Sequence, residues 1–456
     1  MEQGQEIQRQ PPSFCKAELR TSQEEGLAPA LATAGQATLP DLLLPKTLMK
    51  AKPSKRSVGA DPICEFYTRH PFPPPIDNLD RARDMWQDEN VHRSEFHLLW
   101  PNKEYRADLD ILVAGCGTWQ AARFAIGYPA ARVVGIDITT TSLEHTESLK
   151  QKYNLSNLET RQLAVEDAGD LDQQFDLIVC TGVLHHLADP DAGLRGLRSA
   201  LKPDGAMNLM VYAPYGRAGV YMFQEYCRKL GLGTSEQEIN DLIAVLKLLP
   251  EFHPLLATQG GSRDFPDSDA LADALLNPRD QSYSVPQVFE FLERNDLAFS
   301  RWYWQAAYLP QCGSFATTPH ANRLAALPER EQYAAMELWR GLMPNHSFIA
   351  HRSDGSKIRF DDERYLCYVP IRLPWTLCIQ DRLPPGTAGA LVNQTHIFSD
   401  LYILIDDDEK RTFDAIDGRR SISEIVENVE GAAPVARDFF EKLWRYDQVV
   451  FDTSKA

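Results

Sequence analysis

The residues able to do chemistry crowd onto the ends of successive aliphatic runs. In ILVAGCGTWQA (111–121) the chain leaves such a run through Gly115, Cys116 and Gly117. Two glycines there let the main chain turn tightly and lie against a flat or anionic ligand where a side chain would collide. Asp137 closes the next run, ARVVGIDI, 22 positions after Gly115. That interval suits a carboxylate accepting hydrogen bonds from two ribose hydroxyls. Glu166 and Asp167 close LETRQLAVED and can accept from an adenine amino group, with Ile138 and Leu184 covering the ring. Each piece also has a plain structural reading: a turn, a helix cap at Asp137, two solvated acids. Their order along one rhythm of strands makes a seat for an adenosine the better joint reading.

That rhythm is an alternation of strand and helix patterns from Asp108 onward, which predicts an α/β fold with a doubly wound parallel sheet. DILVAG, ARVVGIDI, LETRQLAVED, FDLIVCTG and AMNLMVYA read as five strands, with Pro203 and Gly205 of KPDG turning the chain into the fifth. After Tyr212 the rhythm breaks into a mainly helical insertion, 215–283, beside the strand ends where such sheets bind ligands. It resumes with SVPQVFEFLERNDL, AFSRWYWQA, REQYAAMELWRGLM and HSFIAHR, completing a seven-stranded domain over 108–353. Residues 1–60, rich in Gln, Ala, Pro and Ser around one apolar island, LPDLLLP, read as disordered. Residues 61–107 form a lead-in that wraps the domain or caps its pocket, with Pro71, Pro73, Pro74 and Pro75 extending it. Residues 358–456 form a small α+β or winged-helix domain, in which Ser421 starts a helix with Glu424 in its first turn.

Composition narrows the partners. A formal charge of −17 over 456 residues, without a basic stripe, argues against nucleic acid and against a membrane surface. Hydrophobic content of 43% and charged content of 24% are those of a soluble globular protein. Eight scattered cysteines without a CxxC pair, and no signal-like or membrane-length apolar run, predict a reduced, cytoplasmic chain. His346 and His351 lack a third ligand at useful spacing, so no metal site is expected.

The segment 108–213 resembles the class I S-adenosylmethionine-dependent methyltransferases. ILVAGCGTWQA is similar to their glycine motif, VVGIDI to the ribose-binding strand, LAVEDA to the adenine-contacting strand end, FDLIVCTGVLHHLADP to the fourth-strand motif and LRSALKPDGAMNLMVYA to the helix and fifth strand. The resemblance implies a Rossmann-like sheet with a final antiparallel strand and S-adenosyl-L-methionine as cofactor, with Thr181 joining the contacts named above. Val113 and Trp119 depart from the family, standing where many relatives carry an acid and a third glycine.

A sulfonium methyl is already electrophilic, so alignment and exclusion of water are the main tasks, and a base helps where the acceptor carries a proton. His185 and His186 in VLHHL, at the mouth of the fourth strand, are the candidates for it, or only shape the loop. Tyr215 and Arg217, with Tyr212 and Tyr221, follow the fifth strand and can meet a flat or anionic acceptor. The acceptor is expected to be a small molecule or a peptide. FDAIDGRRSISEIVE in the last domain weakly resembles winged-helix modules that bind leader peptides, although a capping or oligomer contact is the plainer role. Two other readings remain: an NAD(P)-dependent oxidoreductase, opposed by Trp119 in place of the third glycine, and a non-catalytic binding module on a worn methyltransferase fold.

Overall fold

A computed structural model describes residues 61–258, 268–353, 357–433 and 436–456. The disordered segment expected at 1–60, with its LPDLLLP island, lies outside the described residues. The chain enters through α1 (Pro62–Arg69), α2 (Asp80–Met85) and α3 (Glu89–Leu99), then alternates: β1 (Asp110–Ala114), α4 (Gln120–Gly127), β2 (Arg132–Asp137), α5 (Thr140–Tyr153), β3 (Leu158–Gln162), β4 (Phe175–Thr181), α6 (Pro190–Ala200) and β5 (Leu201–Tyr212). Four helices follow: α7 (Ala218–Leu230), α8 (Glu236–Leu246), α9 (Pro254–Thr258) and α10 (Ser268–Leu276). The sheet is then completed through α11 (Val285–Arg294), β6 (Ala298–Trp302), α12 (Ala321–Ala325), α13 (Glu329–Arg340) and β7 (Asn345–His351).

The seven strands lie in the order β3-β2-β1-β4-β5-β7-β6, with the first five parallel and β7 antiparallel to both of its neighbours. The strand rhythm predicts a parallel sheet; the antiparallel β7 is the final strand that the family resemblance implies. Successive residues of β1 serve opposite layers: Leu112 and Ala114 join the core under α6 and α11, while Ile111 and Val113 join the one under α3 and α4. A strand buried on both faces must be apolar at every position, which is why β1 reads as an unbroken aliphatic run. Each such side chain contributes roughly 1.5–3 kcal/mol by leaving water. Chain order reverses between β1 and β4, and that switch opens a crevice at their carboxyl ends.

Two local expectations are corrected. The third strand stops at Gln162, not Asp167, because Val165–Leu171 winds into a 3-10 helix that buries Val165, Ala168 and Leu171. KPDG does not separate helix from strand: β5 starts at Leu201, pairs with Phe175, and resumes at Ala206 opposite Leu177, so residues 202–205 form an irregularity within the strand.

The insertion helices α7–α10 share an apolar core to which α1 contributes Phe66, so the lead-in is packed onto the insertion. After β7 the chain forms β8 (Val369–Arg372), β9 (Thr376–Ile379), β10 (Gly389–Asn393), β11 (Tyr402–Ile405), α14 (Asp407–Asp414), α15 (Ile422–Asn428), α16 (Ala436–Arg445) and β12 (Val449–Asp452). These give a three-stranded antiparallel sheet, a β8–β12 pair and a third core. YLCYVPI and HIFSDLYILI are only partly strand, the former beginning with a 3-10 helix at Glu363–Cys367. Ser421 and Glu424 make a reciprocal capping box on α15. Buried Asp447 ties this part to the large sheet, accepting from Arg301 Nη2 at 3.0 Å and from the Ala306 N–H at 2.9 Å. No helix among the described residues is long and apolar enough to cross a membrane.

Candidate functional site

The crevice is a cavity of about 290 Å³. One wall comes from the sheet: Gly115, Asp137 and Ile138, Leu163 and Val165, and Thr181 with Gly182 and Val183 after β4. Gly115 has φ +66°, a conformation that favours glycine, and a Cβ there would come within 2.3 Å of a Val183 methyl. Gly117 (φ +54°) faces elsewhere. A Cβ on it would lie 2.7 Å from Pro73 Cδ and 2.8 Å from the Phe72 carbonyl oxygen, and Thr118 Oγ1 donates to the Pro73 carbonyl at 2.7 Å. The close backbone approach expected of both glycines is therefore made to the cavity at Gly115 and to the lead-in segment at Gly117.

Asp137 organises this wall. One carboxylate oxygen accepts from the Gly117 N–H at 2.9 Å; the other accepts from the Thr139 N–H and hydroxyl, both at 2.9 Å. Burial pushes its pKa up, and the bonds from Thr139 and Gly117 oppose that rise. The Ile138 N–H is also directed at this carboxylate, so Asp137 is held by donors on both sides of the strand end. Asp137 does not cap α5, whose N-cap is Thr139 with its hydroxyl accepting from the Ser142 N–H; Asp137 instead anchors Thr139, fixes the glycine turn and lines the cavity.

The other wall comes from the lead-in, the insertion, the loop after β4 and the end of β5: Ile63 and Tyr67 of α1, Phe72 and Pro73, His186, Tyr212 and Asp273. Tyr67 and Asp273 went unremarked in the sequence, because only the folded chain joins them. The Tyr67 hydroxyl donates to Asp273 Oδ1 at 2.7 Å, Asn277 Nδ2 donates to the same oxygen at 3.2 Å, and the Tyr67 ring meets His186 edge-on at 6.0 Å. Burial, with Asp273 alongside, holds the Tyr67 phenol well above its usual pKa. Trp119 and Gln120 close the side of the cavity, Gln120 donating to Thr181 Oγ1 at 2.8 Å. The departure at position 119 therefore supplies cavity wall, and its buried indole N–H has no partner among the described residues.

The adjacent histidines part company. His186 lines the cavity, with Nδ1 2.6 Å from the Arg279 carbonyl oxygen. A carbonyl only accepts, so Nδ1 carries the hydrogen and Nε2 of the neutral ring keeps its lone pair. His185 does not border the cavity. It is fully buried, its ring 3.9 Å from that of Tyr212, and burial together with His186 and Arg217 pushes its pKa well below 6.5.

Several other expected residues also sit away from the cavity. Cys116 is buried beneath the turn, its thiol pushed well up by burial, and Leu184 lies in the core. Glu166 and Asp167 stand in the first turn of the 3-10 helix, Asp167 exposed, and Val165 takes the cavity position. Tyr215 is 44% exposed. Arg217 lies behind Tyr212, its guanidinium carbon 3.6 Å from the ring centre, paired with buried Asp280 at 3.2 Å. An arginine so engaged is not poised to clamp an acceptor.

Comparison with known proteins agrees with the fold. Residues 112–207 match the family model described as a methyltransferase domain. "Uncharacterized protein syc1184_c" from Synechococcus sp. is 30% identical over 277 residues, 58% of this chain and 65% of that protein. "Ubiquinone biosynthesis O-methyltransferase" from Neisseria meningitidis serogroup C is 30% identical over 138 residues, covering 28% of this chain and 58% of the relative. The chain thus spans about six-tenths of the length of these relatives. Among solved structures, PKMT2 from Rickettsia typhi superposes with a TM-score of 0.58 at 16% identity, covering 83% of this chain and 76% of that one. The same protein in complex with AdoHcy gives 0.56, also at 16% identity, covering 80% and 76%. Strand order, switch-point cavity and matched segment together define a class I methyltransferase domain.

Proposed function

We propose that the protein is an S-adenosylmethionine-dependent methyltransferase acting on a small-molecule or peptide acceptor. The observation that carries this is Asp137: it fixes the glycine turn while facing a switch-point cavity in a segment that matches a methyltransferase domain. The AdoHcy complex of the structural neighbour supports the choice of cofactor.

The residues fit that cofactor. Asp137 lines the cavity, the Trp119 indole N–H is buried and unpartnered, and Ile138, Leu163 and Val165 offer an apolar face to an adenine. When bound, S-adenosylmethionine supplies an activated methyl group. In this reading Gly115, Asp137, Ile138 and Thr181 hold it from the sheet side, and Tyr67, Phe72 and Pro73 exclude water from above. The lone pair of His186 Nε2 removes a proton from the acceptor where the acceptor carries one. Glu166, Asp167, Cys116, Gly117 and Leu184 support the wall without forming its surface, and His185, Tyr215 and Arg217 carry no direct role.

The lead-in (61–107), the methyltransferase domain (108–353, with the insertion 215–283) and the accessory part (358–456) serve in this reading as lid, engine and flank of one cytoplasmic enzyme. Thermal unfolding with added nucleotides tests the cofactor, since a ligand of the folded state raises the melting temperature by mass action. S-Adenosylmethionine or S-adenosylhomocysteine should raise it and NAD(P)H should not. The opposite pattern would favour the oxidoreductase, and no shift with any of them the binding module.

A further inference from the structure

We infer that the acceptor is an amine, bound as its ammonium form by Asp273. The inference rests on the methyltransferase reading and names the substrate class of the same cavity. Two charged side chains line that cavity, and both are carboxylates; no Lys or Arg lines it. Asp137, at the end of β2, belongs to the cofactor side. Asp273, from α10, lies across the cavity and is only 4% exposed. Its Oδ1 is occupied by Tyr67 and Asn277, and Oδ2 has no hydrogen bond among the described residues.

A buried carboxylate without a cationic partner costs several kcal/mol of desolvation, and a cationic ligand offsets that cost. The same charge repels a carboxylate, phosphate or phenolate acceptor. The aromatic wall points the same way at Tyr67, which borders the cavity and can attract an ammonium; the Tyr212 ring is already engaged by Arg217, 3.6 Å from its centre, and by the His185 ring at 3.9 Å. Buried Arg217, whose free charge would reverse the sign, is neutralised by Asp280 outside the lining. His186 completes the chemistry. The bound ammonium gives one proton to Nε2, and the freed nitrogen lone pair forms the new C–N bond. The methyl–sulfur bond breaks with its electron pair left on sulfur, giving a methylammonium and S-adenosylhomocysteine. No further reactant is needed.

The test uses the full chain saturated with S-adenosylhomocysteine, and n-butylammonium, n-butanol and butyrate as probes in ligand-observed NMR. The account expects n-butylammonium to bind at least tenfold tighter than either other probe. Asp273→Asn, checked for folding by circular dichroism, should abolish that preference. Tyr67→Phe keeps the charge, so it should keep the preference even where Asp273→Asn fails to fold. Equal or better binding of n-butanol or butyrate, no binding by any probe, an unchanged preference in Asp273→Asn, or its loss in Tyr67→Phe would each overturn the inference. Failure of the wild-type chain to bind S-adenosylhomocysteine at all would instead sink the methyltransferase reading on which it stands.

Discussion

The two walls of the cavity are built in opposite ways. The sheet wall uses residues carried on strands that any doubly wound sheet places side by side: the Gly117 N–H of the glycine turn donates to Asp137, 20 residues on. The facing wall is assembled from distant segments, since the Tyr67–Asp273 bond closes a separation of 206 residues. The first wall is generic to its fold class and suits a common cofactor. The second is particular to this chain, and selectivity for an acceptor belongs there.

Substitutions can separate the walls. The largest effect is expected at Gly117→Ala, where the left-handed backbone and the rigid Pro73 ring 2.7 Å from the new Cβ both oppose the change. It should cost roughly 2–4 kcal/mol of stability. Gly231→Ala, with the same left-handed backbone but open space, should cost about 1 kcal/mol. Equal melting temperatures for the two variants would show that the lead-in is not packed on the turn. Next, Asp137→Ala should weaken S-adenosylhomocysteine binding by about 1–3 kcal/mol, read by calorimetry. Unchanged affinity would remove Asp137 from the cofactor wall.

Tyr67→Phe should lower thermal stability by about 0.5–1.5 kcal/mol while leaving cofactor affinity unchanged. A drop in cofactor affinity as large as that of Asp137→Ala would merge the two walls into one. A pH-dependent effect, absent at neutral pH, lies outside both walls, at the far end of the sheet. Burial holds His351 down to about 4, below the usual 6.5, with Nδ1 donating to the Gly205 carbonyl. The folded state then binds fewer protons than the unfolded one between those values, so stability is present above pH 6.5 and falls as pH drops toward 4. His351→Gln should flatten a thermal-unfolding profile over that window without moving cofactor affinity.

The same contrast explains what the sequence could disclose. The succession of strands and the position of Asp137 were legible because strand burial and the strand-to-turn transition are local patterns, whereas the antiparallel last strand came from the family resemblance and not from any local pattern. His185 and His186 were inseparable by pattern, since one residue of a short 3-10 turn (Leu184–His186) decides which ring meets the cavity and which is buried against Tyr212. Glu166 and Asp167 were misplaced for a related reason: LAVED continues a strand-like run, but Val165, Ala168 and Leu171 are spaced to bury one face of a helical turn. Arg217 looked free because its partner, Asp280, lies 63 residues away. Tyr67 and Asp273 carried no local signal. A lone tyrosine in a lead-in and a lone aspartate in a helical insertion become a site only when α1 packs on α10.

The most direct test of the central claim is calorimetric titration of the full wild-type chain with S-adenosylhomocysteine, repeated on Asp137→Ala. The account expects saturable binding of one molecule per chain, weakened in the variant. Absence of binding to the wild-type chain at millimolar ligand would contradict it.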